Sequence, residues 1–233
     1  MLYTRQQVKD NLRNRQGQRV FYLQKGDILT NDAKDFLQAE HIAVLPAEMA
    51  KPRQYTLLSG ETLEQKPEHY THLNAETLVP KTHPVIAFRG MVDTLEAELL
   101  WCMQYAPAYQ KVLQQILDLT RRLIRCDVLG EPVGEVVLDG LDQAQQRHRS
   151  HFPQQYYGIA HFMPSSADSL AILALNRVRG IARQAELAAV RAFAPEEAKP
   201  QRPDILQAMN RISSMLYILM LQEKSKKQKS PNP

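Results

Sequence analysis

The sequence predicts a mainly α protein, a bundle of four or five helices preceded by a small N-terminal α/β appendage. Three observations lead there. From about residue 71 onward, apolar residues recur at helical spacing in long segments joined by short connections. Ahead of them, two short apolar runs rich in β-formers flank a single helical pattern within residues 1–50. Residues 51–70 are polar, carry Pro52, Gly60 and Pro67, and read as a linker.

Taken in order, TRQQVKDNLRNR (4–15) reads as a polar helix with little to bury. RVFYL (19–23) reads as a strand, KGD (25–27) as a turn, and Thr30 as the N-cap of NDAKDFLQAE. HIAVL (41–45) completes a β-α-β unit whose Phe36, Leu37, Ile42 and Val44 fill a satellite cluster rather than an independent core. Residues 1–50 are therefore expected to be a stabilising extension. The N-terminus has no apolar run after its charges, unlike a secretory signal. No stretch reaches the ~20 apolar residues of a membrane span. A soluble cytoplasmic protein is expected.

The bundle is expected over residues 71–223. Its first helix is striped by Phe88, Val92, Leu95 and Leu99. A second, over 107–128, places Val112, Ile116, Leu119, Leu123 and Cys126 on one face, with Arg121, Arg122 and Arg125 off it. Cys102 and Cys126 sit inside amphipathic patterns and read as core thiols, with neither disulfide nor metal spacing. His148 and His151 stand at i, i+3, but a zinc site needs two more ligands that the sequence does not place, so they read as a solvated face. An aromatic-rich loop, YYGIAHFMPSSADS (156–169), follows.

Two segments, NRVRGIARQAELAAVRAF (176–193) and PDILQAMNRISSMLYILM (203–220), carry the sharpest pattern. In the first, Leu175, Val178, Ala182, Ala185 and Ala189 form a core-facing stripe. Arg179, Arg183 and Glu186 form a second stripe, with Arg179 about 40° round from Leu175 at 100° per residue. A guanidinium on that edge is partly desolvated and offers a planar fork to phosphate oxygens. In the second segment Asn210, Ser213 and Tyr217 make a polar seam within an apolar helix. Together the two could line an anion or nucleotide pocket. The same residues also fit an Arg/Glu edge tied up by intrahelical pairs beside an ordinary core helix, and alone they leave both readings open.

The formal charge of +4 is misleading, because Lys224–Pro233 carries four lysines and no acid, and the remaining 25 basic residues balance 25 acidic ones. A neutral body gives little support to nucleic-acid binding. The tail 224–233 is expected to be disordered and solvated.

The spacing R-x-x-x-R-x-x-E followed by N-R-[IL]-S resembles the ATP:corrinoid adenosyltransferases. Here it reads Arg179, Arg183, Gln184, Ala185, Glu186, then Asn210, Arg211, Ile212, Ser213, Ser214. The propanediol-utilisation branch closes the second motif with Asp; Ser214 in its place is also found in the ethanolamine-utilisation branch, which Arg202–Met220 resembles most. Lys81, Pro84, Phe88, Gly90, Val92, Asp93 and Leu95 occupy places related to the family's nucleotide segment, with the glycine spacing approximate. Similarity continues through RRLIRCDVLGEP (121–132).

The resemblance implies a five-helix bundle in a homo-oligomer with sites at subunit interfaces. It implies adenosyl transfer from ATP to a reduced corrinoid, cobalamin, with Co(I) attacking the ribose C5′ as polyphosphate leaves. Arg179, Arg183 and Lys81 would neutralise the polyphosphate, and Asn210 would position ATP. Glu186 and Asp93 would hold the arginines, Asp93 by pairing with Arg179. Phe162 would exclude water or a ligand from cobalt, although it stands one residue closer to Pro164 than the family's F-x-[LIV]-P pattern has it. Mg²⁺ would come with ATP, and an electron donor such as a flavoprotein would reduce the corrinoid. Ethanolamine catabolism, with association to a bacterial microcompartment, is the context implied.

Two departures stand out. Thr71–Thr77 (THLNAET) has none of the glycines of the propanediol branch's phosphate loop. Many ethanolamine-branch members carry a His and a Cys-Cys-x-x-C cluster for a divalent metal; this chain has no cysteine before Cys102, and His69, His72 and His83 lack thiolate partners. No metal site is expected. The reading from another class is a non-catalytic helical scaffold of a microcompartment. It accounts for the appendage, the tail and the missing loop, and leaves the co-occurrence of Lys81, Asp93, Arg179, Arg183, Glu186 and Asn210 unexplained.

Overall fold

The structure, a computed structural model, describes residues 1–15, 17–49, 54–194 and 199–229. The chain divides into two compact units, Met1–Tyr55 with Thr62–Gln65, and Thr56–Glu61 with Lys66–Pro233. Among the described residues there are eight α-helices, and strands are confined to the first 80 residues apart from one isolated bridge. No helix among the described residues is long and apolar enough to cross a membrane.

The first unit runs β1 (Leu2–Tyr3), α1 (Arg5–Asp10), β2 (Arg13–Arg15), β3 (Gln18–Leu23), β4 (Ile28–Leu29), α2 (Asn31–Ala39), β5 (Ala43–Pro46). β3 and β5 pair in parallel with α2 between them, which is the β-α-β unit read from the sequence. Thr30 caps α2 by accepting from the Ala33 amide. The polar helix expected over 4–15 is shorter. α1 closes at Asp10, and Arg13–Arg15 pairs antiparallel with β3 instead. With Val8 its one buried residue, α1 has too little to bury to extend, and a ladder satisfies the backbone at 13–15 better. Val8, Phe21, Ala33, Phe36, Leu37 and Ile42 make its core.

The stretch read as a linker, 51–70, enters strands: β6 (Tyr55–Leu57), β7 (Thr62–Leu63) and the start of β8 (Tyr70–His72); residues 50–53 lie outside the described ones. β9 (Thr77–Pro80) pairs in parallel with β6 and antiparallel with β8. Asn74 closes the β8–β9 turn by accepting from the Glu76 and Thr77 amides, so this loop turns without glycine.

The bundle of the second unit comprises α3 (Pro84–Tyr105), α4 (Gln110–Leu129), α5 (Gln143–His151), α6 (Pro153–Tyr157), α7 (Leu170–Phe193) and α8 (Pro203–Lys229). Each boundary has a local cause. His83 caps α3 and Pro84 occupies its first position. Gly130 ends α4 at φ 69°, a left-handed conformation that glycine adopts without strain. Asp142 and Gln145 form a capping box on α5, and Ser169 caps α7. α3 packs antiparallel to α7, with the Phe88 and Phe193 rings 5.4 Å apart at one end and Arg177 gripping Glu98 through two hydrogen bonds of 2.7 and 2.8 Å nearer the other. All five residues of the α7 stripe are buried, as are those of α3 and α4.

Two polar ties fasten the ends. Arg89 pairs with Asp127 and donates to the Leu73 carbonyl, joining α3, α4 and the strand region. Asp204 accepts from Arg202 and from the Val133 amide, while Arg202 also reaches the Cys126 and Glu131 carbonyls. That pairing with Arg202 holds the Asp204 carboxyl at about 2. α8 continues through Lys229, so the basic segment read from the sequence as a disordered tail begins as helix. Lys224 is ion-paired with Asp168, and the Ser225 hydroxyl donates to the Tyr157 carbonyl.

Candidate functional site

The antiparallel register of α7 and α8 sets their two polar stripes face to face. Asn210 Nδ2 donates to Glu186 Oε1 at 2.7 Å, and two turns along, the Arg179 guanidinium lies 5.1 Å over the Tyr217 ring. Arg179 is half-buried and makes no ion pair among the described residues. Burial, and then the Arg183 charge one turn away, push its pKa below the ordinary guanidinium value, with Tyr217 opposing. It remains a cation, since guanidinium does not deprotonate in proteins. The site is therefore short of an anion.

Arg179 and Tyr217 line a cavity of about 540 Å³. Phe162, His161, Ser213 and Ser214 are among its other walls. Phe162 stacks on Tyr217 at 6.4 Å and 24°, with Lys224 Nζ 5.3 Å from its ring. The loop that carries Phe162 is pinned. Asp168 accepts from the Ser165 amide and from Lys224 of α8, and its carboxyl is held below the usual range chiefly by Lys224. His161 Nδ1 lies 3.0 Å from the Tyr217 hydroxyl, and its Nε2 3.3 Å from the His151 carbonyl. A carbonyl only accepts, so those partners assign the proton to Nε2 and leave Nδ1 to accept from the tyrosine.

Of the residues expected from the sequence, the structure brings Phe162 and Arg179 to this cavity. Arg183 is exposed one turn away. Glu186 and Asn210 bond each other, and no ion pair joins Glu186 to Arg179 or Arg183 among the described residues. The register places Asn210 opposite Glu186, and Asn210 Oδ1 further accepts from the buried Arg211. Asp93 is exposed on α3 and makes no ion pair among the described residues, so the expected Asp93–Arg179 pair is absent within this chain. Lys81 is exposed ahead of α3. The α3–α7 register puts it roughly 20–30 Å along the bundle from Arg179, at 1.5 Å per residue. The residues missed are Tyr217, which already lay on the polar seam, and His161 and His151, whose contacts cross 56 and 10 residues and left no spacing to read.

Among the described residues no three His, Cys, Asp or Glu side chains gather as a metal set. Both cysteines are buried, and burial pushes the Cys102 thiol up to about 12, far from a ready thiolate ligand.

A family model described as cobalamin adenosyltransferase matches residues 62–223, a span that contains every cavity-lining residue named above. Among curated proteins, the corrinoid adenosyltransferase EutT of Escherichia coli (strain K12) is 29% identical over 202 residues, 86% of this chain and 75% of that protein. The corrinoid adenosyltransferase EutT of Salmonella typhimurium (strain LT2) is 31% identical over 144 residues, 61% of this chain and 54% of that protein.

Proposed function

The chain belongs to the cobalamin adenosyltransferase family, and from that premise we propose that it transfers the 5′-deoxyadenosyl group of ATP to a reduced corrinoid, forming adenosylcobalamin for ethanolamine catabolism. The observation that carries this reading is Arg179, half-buried, without a carboxylate partner, over an aromatic ring in a cavity. A triphosphate supplies the missing anion. In the transfer, the cobalt(I) electron pair forms a Co–C bond at C5′ as the C5′–O bond breaks and the polyphosphate leaves with the oxygen. The corrinoid brings the nucleophile, so the protein needs no general base. Its contribution is electrostatic: Arg179, with Arg183 a turn away, lowers the cost of the charge building on the leaving group. Phe162, stacked on Tyr217, offers an apolar face that keeps water from the cobalt.

Lys81 and Asp93 enter this reading through a second copy of the chain. Lys81 and Arg179 lie roughly 20–30 Å apart along one bundle, at helical rise, so within one chain they do not converge on the same phosphate group. A homo-oligomer that sets the start of one α3 against the α7 of its neighbour would complete the site. Exposed Leu187 and Val190 on α7 give such a contact apolar surface. ATP would enter as its Mg²⁺ complex, and a donor such as a flavoprotein would supply the electron that converts cobalt(II) to cobalt(I). The residues present do not fit a thiolate-held metal, since Cys102 and Cys126 belong to the core, and no step is routed through one. A microcompartment scaffold would leave Arg179 with no anion to bind, which favours the transferase.

The test is anaerobic. Purified protein, chelated beforehand, is given ATP, Mg²⁺ and chemically reduced cobalamin, and formation of a light-sensitive alkylcobalamin is followed. Product without added Fe²⁺ or Zn²⁺ supports the whole reading. Product only with added metal keeps the transferase and removes the metal-free site, and no product with ATP unbound removes both.

A further inference from the structure

We propose that Asn176 binds the ribose of ATP, its side-chain amide accepting from one hydroxyl of the sugar's diol and donating to the other. The proposal rests on the transferase reading above. Asn176 lies on α7 one turn before Arg179, and both line the same cavity. It is half-buried, and among the described residues its amide has no hydrogen-bond partner. Polar groups withdrawn from water ordinarily have such partners, and an amide needs them for its oxygen and its nitrogen alike.

Nothing in the helix itself calls for the amide. Asn176 follows LAILAL (170–175), a run in which every residue is apolar. Asparagine is a poor helix former, and within a helix it commonly bonds the backbone one turn back. Ser214 does so across the cavity, donating to the Asn210 carbonyl, whereas Asn176 does not. The α7–α8 register, with Glu186 opposite Asn210 and Arg179 opposite Tyr217, sets Asn176 level with Met220. That is the end of the cavity where Phe162 stacks on Tyr217 under Lys224. Arg183 lies one turn beyond Arg179 in the other direction. A triphosphate running from Arg183 to Arg179 therefore delivers its sugar toward Asn176, about 4.5 Å of helical rise further on. In-line displacement agrees with this order. Cobalt meets C5′ from the side opposite the departing oxygen, so with the polyphosphate at Arg179 the metal stands at the Phe162 end. The ribose lies between them. Each hydroxyl of its diol can donate or accept, which suits the two ends of an amide, whereas phosphate oxygens only accept. Corrin carboxamides would pair with an amide as well, but they stand at the rim of the macrocycle, away from the cobalt that Phe162 faces.

The experiment compares ATP with 2′-deoxyATP and 3′-deoxyATP at saturating reduced cobalamin, in the wild-type chain and in full-length Asn176→Ala. The wild type should favour ATP over either analogue about 5- to 20-fold in kcat/KM. In Asn176→Ala the three nucleotides should fall within about 2-fold of one another, with the KM for reduced cobalamin within about 2-fold of wild type. Alanine suits a helix better than asparagine, so the thermal midpoint should hold or rise. Discrimination that survives in the variant, a wild type that does not discriminate, or a lowered midpoint would overturn the proposal. A raised KM for cobalamin with that for ATP unchanged would overturn it too, and give the amide to the corrin. A wild-type protein that transfers nothing from ATP is a different failure, which removes the transferase reading and this proposal with it.

Discussion

A guanidinium partly withdrawn from water and left without a carboxylate costs the fold something, and Arg179 is in that state. Such a cost is expected where a charge is kept for a ligand. Arg179→Ala should therefore lower turnover about 10²- to 10³-fold while leaving the thermal midpoint unchanged or slightly raised. A large drop in that midpoint would recast Arg179 as structural. Tyr217 acts differently, through its ring beneath Arg179 and its hydroxyl on His161. Tyr217→Phe keeps the ring and should cost only about 1 kcal/mol of stability by urea unfolding. Tyr217→Ala should lose activity nearly as far as Arg179→Ala. At this scale the sequence was informative where one helix face carried the signal, as with Arg179. It was silent on His161, because that contact depends on where a loop lands on α8.

Between elements, register decides which stripe meets which. α7 and α8 run antiparallel, so Glu186 meets Asn210 and Arg179 meets Tyr217. Periodicity within each helix exposes both stripes but carries no information on that offset. The helical end of the basic segment was hidden for a related reason. Lys224 and Ser225 are ordered by Asp168 and Tyr157, partners far away in sequence. The entrance to α8 yields a test of pH. Asp204 titrates at about 2 in the fold against an ordinary 3.8, held down first by Arg202. Its contribution is therefore present above the ordinary value and is lost as pH falls toward the folded value. Asp204→Asn should destabilise the protein by about 1–2 kcal/mol at pH 7, after discounting for partial exposure. The gap between variant and wild type in urea should close between pH 4 and 2. A gap independent of pH would mean that the loss is not ionic.

For the whole molecule, the helical character of the bundle and the small α/β unit before it were legible from periodicity and turn residues. The contact proposed between copies was not, since it would leave in the sequence no more than a few apolar residues off the core stripes, such as Leu187 and Val190. Under the proposed function Lys81 and Arg179 give such a contact a chemical reading, because Lys81 precedes α3 while Arg179 lies midway along α7, and a site shared between copies would bring both to one ATP. The measurement that tests this most directly is adenosylcobalamin formation by Lys81→Ala and Arg179→Ala chains, each alone and co-expressed. Each alone should fall about 10²-fold or more, and random co-assembly should restore about a quarter of the wild-type sites. Wild-type turnover by either variant alone, or no recovery in the mixed oligomer, would contradict the account.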